Sequence, residues 1–228
     1  MTRKRNAKET GKRLEQALSG NGLTEIADIV ASEGPNVYVY PAERHTLMHD
    51  ACALGHADIV LLLLEKGANV NVQNTSGATP LHIACFNGKT DIARVLLDHG
   101  ADINIEDVNE LASFDDICVS KGDVFGPTYE EICDLLLSRG FDIDRIVSQY
   151  NKTNLAYACS QGRSAVAWFL LSRGANPKTG DVLGNTALDC ALNDLAPDNP
   201  HREEIIDLFR EYDPELVMEA FCTRGPAR

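Results

Sequence analysis

One interval, the step from Thr46 to Thr79, recurs through this chain and limits what it can fold into. Thr46-Leu47-Met48-His49-Asp50-Ala51-Cys52 is answered one step later by Thr79-Pro80-Leu81-His82-Ile83-Ala84-Cys85. Each threonine is followed at a constant offset by a Gly-Ala pair, in Gly67-Ala68-Asn69-Val70-Asn71 and Gly100-Ala101-Asp102-Ile103-Asn104. Thr153 keeps that offset to Gly174-Ala175-Asn176, and Thr186 opens one more unit a single step on. Gly34 lies one step before Gly67, so a unit also precedes Thr46. A recurrence of this length marks one supersecondary unit used many times. A single unit cannot bury its apolar face, and stacked neighbours can. Hydrophobic content of 44% and charged content of 24% supply enough apolar surface for that and exclude global disorder.

Within a unit the residues read as two short helices and a turn. Thr79 suits a helix N-cap, and Pro80 the first helical position, where its missing N–H costs little. Leu81 to Phe86 forms the short helix, and Gly88 ends it by accepting left-handed geometry. Asp91 to His99 carries Ile92, Val95 and Leu96 at helical spacing, and Gly100 stops it. The Asn-, Asp- and Gly-rich stretch that follows predicts a turn or hairpin.

These motifs resemble the ankyrin-repeat family, and Thr79-Pro80-Leu81-His82-Ile83-Ala84 matches its helix-opening motif directly. The resemblance covers roughly residues 13–216 and implies an all-α fold, an α-solenoid of stacked helix-turn-helix repeats with β-hairpin or turn connections. Six units follow, near 13–45, 46–78, 79–111, 112–152, 153–185 and 186–216. The first and last read as caps. The fourth is degenerate, because Ala112-Ser113-Phe114-Asp115 replaces the Thr-Pro-Leu-His pattern. Residues 1–12 are expected to be a flexible basic arm and 217–228 a tail. The resemblance also gives His49 and His82 the task of tying turns together by hydrogen bonds.

Cys52, Cys85, Cys118 and Cys159 fall on one equivalent position of the first helix, which predicts buried thiols. Neighbouring helices pack about 8–10 Å apart, beyond the roughly 7 Å a disulfide tolerates. Zinc is not expected, since His49 with Cys52, and His82 with Cys85, supply two ligands each with no route to one tetrahedral ion. Cys133, Cys190 and Cys222 lie off this register.

The net charge is −13. Arg3, Lys4, Arg5, Lys8, Lys12 and Arg13 belong to the first 13 residues, with Glu9 the one acid there. Taking them from the totals of 21 basic and 34 acidic residues leaves 15 against 33, a net of −18 for the remainder. Such a body repels phosphate backbones, so no nucleic acid is expected on it. The basic segment reads as a solvated end or, alternatively, an import signal. Ile59 to Leu64, the longest strictly aliphatic run, falls far short of the roughly 20 residues a membrane span needs. With no leader-like apolar stretch and no disulfide framework, the expected setting is cytosol, nucleus or both.

Two insertions interrupt the pattern, near 119–129 and 194–204. In the first, Thr128-Tyr129-Glu130-Glu131 reads as a capping box that restarts the second helix. Following the resemblance, both insertions lie between the two helices of their repeat. Trp168, the single tryptophan, holds a solvent-facing second-helix position and is expected to be partly buried against its neighbour. No phosphate-binding glycine loop, Gly-x-Ser-x-Gly elbow or His-Glu-x-x-His is present, so no enzyme and no cofactor are expected.

The resemblance implies protein recognition on a concave face of hairpin tips and first helices. Carrying the variable positions over selects Leu54, Phe86, Asn87, His99, Leu111, Tyr150, Gln161, Arg173 and Leu183. Exposed apolar members of that set would suit a hot-spot cluster. The expected role is an adaptor, scaffold or inhibitor acting as a monomer. Alternatives are a nuclear regulatory cofactor, or an effector working through its insertions. Asn104 resembles asparagines that are hydroxylated in this family, though stitching its hairpin is the simpler expectation. Tyr38 and Tyr40 alternate with valines on the first hairpin.

Overall fold

The structure, a computed structural model, describes residues 2–20, 22–121 and 124–224. It divides between Ser113 and Phe114 into two compact units.

The first unit contains α1 (Thr2–Ser19), α2 (Leu23–Glu33), β1 (Tyr38–Tyr40), β2 (His45–Thr46), α3 (Leu47–Leu54), α4 (Ala57–Glu65), α5 (Pro80–Phe86) and α6 (Thr90–Asp98). Helix α7 (Ser113–Ser120) opens at the boundary. The second unit continues with α8 (Pro127–Ser138), β3 (Ile146–Val147), β4 (Lys152–Thr153), α9 (Asn154–Ser160), α10 (Ser164–Ser172), α11 (Ala187–Asp194), α12 (Pro200–Tyr212) and α13 (Pro214–Arg224). Each unit is an all-α stack of helical hairpins, as the periodicity predicts. First helices pack on first helices, α3 on α5 and α9 on α11. Second helices do the same, α4 on α6 and α10 on α12.

The predicted stops and starts are in place. Gly67, Gly100 and Gly174 follow second helices with φ of 83°, 85° and 89°. The N–H of the next residue then reaches back to a helix carbonyl, Ala68 to Leu63, Ala101 to Leu96 and Ala175 to Leu170. The core runs along the helix pairs. Leu47, Ile59, Leu63, Leu81 and Leu96 are fully buried in the first unit, and Phe169 and Phe209 in the second. Each such side chain contributes roughly 1.5–3 kcal/mol relative to exposure. Cys52, Cys85, Cys118 and Cys159 are buried free thiols, as are Cys133 and Cys190. Burial raises the pKa of Cys52 and Cys159 and pushes that of Cys190 up to about 12. The Cys222 side chain lies outside the described residues.

Three expectations need correction. The segment expected as a flexible arm to residue 12 lies within α1, which begins at Thr2. Thr10 is buried and donates from Oγ1 to Glu33 Oε1 at 2.7 Å. A Cβ on Gly11 would stand 2.5 Å from the Val39 carbonyl oxygen, so this glycine lets the helix lie on β1. Of the segment expected as a tail, residues 217–224 lie in α13, where Leu216, Val217 and Ala220 are buried. Helix α8 starts at Pro127 with Gly126 at its cap and no side-chain cap bond, one residue before the predicted capping box. Proline at the first helical position already fixes φ for the helix and has no N–H of its own to leave unpaired.

Candidate partner-binding face

The face is built from repeated hydrogen bonds that hold each turn at a fixed place. In the first unit, the Thr46 N–H donates to His49 Nδ1 at 3.1 Å, so the ring proton sits on Nε2 and bonds the Ala78 carbonyl at 3.1 Å. Thr79 and His82 repeat this, with His82 Nε2 bonding the Leu111 carbonyl at 3.1 Å. These are the ties the resemblance implies. Burial, reinforced by the neighbouring His45, lowers the His49 pKa to about 4. His49 is therefore a neutral imidazole whose two nitrogens are both committed.

At the tips, Asn74 Oδ1 accepts from the Ser76 and Ala78 N–H groups, and Asp107 Oδ1 from those of Asn109 and Leu111. Asp181 does likewise for Leu183 and Asn185 in the second unit. Adjacent tips are joined in series. The Thr75 N–H donates to the Glu43 carbonyl, Val108 to Ser76 and, in the second unit, Val182 to Asn151. A residue with positive φ recurs at the tips: Arg44 at 52°, Gly77 at 75°, Glu110 at 59°, Asn151 at 54° and Gly184 at 83°. Three of these five bear side chains in a region that favours glycine.

On this frame, Leu54 ends α3 at 56% exposure and Phe86 ends α5 at 41%. Asn87 caps α5, with Nδ2 donating to the Ile83 carbonyl at 2.8 Å. His99 Nδ1 bonds the Val95 carbonyl at 2.7 Å, at the end of α6. His99 belongs to a series at the ends of the second helices. Lys66, His99, Arg139 and Arg173 are the C-cap residues of α4, α6, α8 and α10. A basic residue there faces the negative end of the helix dipole, which accounts for the residue type. Leu111 is a correction. It is 4% exposed, and its carbonyl is the acceptor of the His82 tie, so its side chain belongs to the core.

In the second unit, Leu183 stands at a tip at 83% exposure with Val182 beside it. Tyr150 is half-buried, its ring centroid 4.3 Å from that of Tyr157. Burial and the Tyr157 neighbour raise the Tyr150 pKa. Gln161 Nε2 donates to Ser160 Oγ at 3.3 Å. Arg173 is held in a fork by Asp134, at 2.6 and 2.9 Å, and its guanidinium carbon lies 4.7 Å from the Phe169 ring centroid. Trp168 is half covered, at 53% exposure.

The degenerate repeat has its own solution. Asp115 takes the position of His49 and His82 and is completely buried. A carboxylate accepts where imidazole Nε2–H donates, so a carbonyl will not serve it. Donors face it instead: Asn154 Nδ2 at 2.6 Å and Arg145 Nη1 at 3.6 Å. The insertion after α7 is fastened by Arg163, which donates to the Cys118 carbonyl at 3.2 Å and also to that of Val119. Both insertions separate the helices of one pair, α7 from α8 and α11 from α12. The N–H of Asn104 bonds Asp102 Oδ1 at 2.9 Å, a stitch within its turn.

One cleft adjoins the face. It encloses about 230 Å³ in the first unit and is lined by Glu15 of α1, Tyr40 of β1, and Asp50 and Leu54 of α3, among others. Glu15 lies in α1, in the cap-like first unit, where no Thr-Leu-His motif marks its position, so no periodic signal selects it.

The comparison with known families now has a structure to stand on. Residues 14–107 match the family described as ankyrin repeats, in three copies. That segment covers the helix pairs of the first unit, whose caps, ties and left-handed glycines have just been described. Residues 14–107 are ankyrin repeats. Ankyrin repeats are, in general, protein–protein interaction modules. The second unit lies outside the match and builds the same helical hairpins with Asp115 and Asp189 at the histidine position. No curated protein sequence matches the chain. Among the described residues no helix is long and apolar enough to cross a membrane.

Proposed function

We infer that this ankyrin-repeat protein is a non-catalytic adaptor, scaffold or inhibitor that captures a protein partner on its tips and first helices. The observation that carries the reading is the pair Leu54 and Phe86. Two large apolar side chains stand exposed at the ends of successive first helices, on a frame of buried ties. Apolar anchors on a rigid polar surround are what hot spots are made of. An acidic body with a net of −18 favours basic or neutral proteins over nucleic acid. The partner meets the protein as a monomer, in the cytosol or the nucleus. A regulatory role inside the nucleus draws support from Arg3-Lys4-Arg5 in a chain otherwise so acidic.

The test is co-purification from native lysate by the tagged chain and by the double variant Leu54→Ala, Phe86→Ala. The variant should melt at the parental temperature and lose its partner band, since removal of a hot spot costs about 2 kcal/mol or more, roughly 30-fold in affinity. Undiminished capture by the folded variant refutes the reading. Imaging a tagged Arg3→Ala, Lys4→Ala, Arg5→Ala chain decides the nuclear question without removing α1.

A further inference from the structure

The acidic cleft beside Leu54 extends the binding face, and its chemistry is specific. Its floor is apolar, made by Leu18, Ala53 and Leu54. Its polar wall holds the carboxylates of Glu15 and Asp50 and the phenol of Tyr40. Tyr40 is 40% exposed and hydrogen-bonds Glu15. That bond, burial, and the negative charges of Glu15, Asp50 and Glu43 together push its pKa up to about 12. Three carboxylates thus act on one phenol. His45 stands at the edge of the region, its Nε2 2.9 Å from Asp50 Oδ1. Its ring centroid lies 5.9 Å from that of Tyr40.

Size narrows the ligand. At about 230 Å³ the cleft is smaller than the roughly 300–1,000 Å³ of sites for drug-sized molecules. One long side chain suits it better. Charge narrows it further, because a carboxylate or phosphate in the cleft would meet Glu15 and Asp50. We propose that the cleft between α1, β1 and α3 receives an arginine side chain from a basic segment of the partner captured on this face. The inference deepens the reading above and rests on it, because Leu54 belongs both to the cleft and to the hydrophobic pair. The arginine stem covers Leu18, Ala53 and Leu54, and its head stays among the polar groups at the rim. The planar guanidinium meets a carboxylate in a fork and stacks on the Tyr40 ring, which a compact, strongly hydrated ammonium does less well.

The test is an NMR titration of the ¹⁵N-labelled full chain with N-acetyl-arginine methylamide, alongside its citrulline and lysine counterparts. Arginine should shift amides around Tyr40, Asp50 and Leu54, saturably. Citrulline, uncharged and of the same shape, should bind at least about tenfold more weakly, and lysine several-fold more weakly. Glu15 is exposed on α1, so Glu15→Gln should keep the melting temperature and cut arginine affinity by about tenfold. Absent or scattered shifts overturn the proposal, as does equal binding of citrulline or lysine or an unaffected Glu15→Gln chain. Shifts of the same amides with protein concentration alone would seat a second copy in the cleft and overturn it too. The two readings fail separately. Loss of partner capture on removing Leu54 and Phe86, with no arginine binding, leaves the face and removes the cleft. Arginine binding with capture intact does the reverse.

Discussion

At the scale of single residues, the tip position with positive φ shows how far the fold tolerates local strain. Gly77 and Gly184 adopt it without penalty, whereas Arg44, Glu110 and Asn151 carry a Cβ into it. The left-handed region costs a side-chain-bearing residue about 1–2 kcal/mol, and glycine loses roughly 0.5–1 kcal/mol more chain entropy on folding. Glu110→Gly should therefore raise stability by about 0.5–1 kcal/mol, read as a higher urea midpoint. The opposite change, Gly77→Ala, should lower it by more than that gain, because a Cβ there also comes within 2.9 Å of Asp107 Cα and the Val108 nitrogen. An unchanged midpoint for both would refute the account. The sequence showed the glycines of this series and hid the rest, since Arg44 and Glu110 carry no local signature of left-handed backbone. Leu111 misled for a related reason. A variable position in the family is buried here, and its backbone carbonyl serves the His82 tie.

At the scale of elements, the ties from first helix to following turn depend on a neutral imidazole. His49 has its pKa lowered to about 4 by burial and by His45, against about 6.5 in an unfolded chain. Between those values the unfolded state binds the extra proton, so stability is full above pH 6.5 and falls as pH drops toward 4. From pH 7 to pH 5 this group alone should remove about 2 kcal/mol of unfolding free energy. His49→Gln should be less stable at pH 7 and show a shallower slope over that window, measured by urea unfolding at several pH values. A slope untouched by the substitution would sink the argument. The helix pairs themselves were legible, because threonine caps, proline at the first position and stop glycines act within a few residues. What replaced the tie at Asp115 was not. Its donors, Arg145 and Asn154, come beyond the end of α8 in the sequence, and only folding brings them to the carboxylate.

At the scale of the whole molecule, the chain holds two compact units, each with its own buried core. The boundary coincides with the repeat whose motif has lost its threonine and histidine. In stacked repeats, stability is a sum of unit terms and nearest-neighbour terms, so two units with separate cores need not unfold together. Trp168 belongs to the second unit and reports on it alone. Urea unfolding followed by Trp168 fluorescence should not coincide with the helical circular dichroism of the full chain, and coincident curves would show one cooperative block. The degenerate fourth repeat marks where this division falls, but the periodicity does not show that the core divides there, because a repeat count says nothing about how strongly neighbours couple.

The tips closed by Asn74, Asp107 and Asp181 work as interchangeable cassettes. In each, one side-chain oxygen fastens two backbone N–H groups of the turn. The middle residues, Thr75-Ser76, Val108-Asn109 and Val182-Leu183, stay exposed. A combinatorial library randomised at those six codons would change what the surface reads while leaving its scaffold alone.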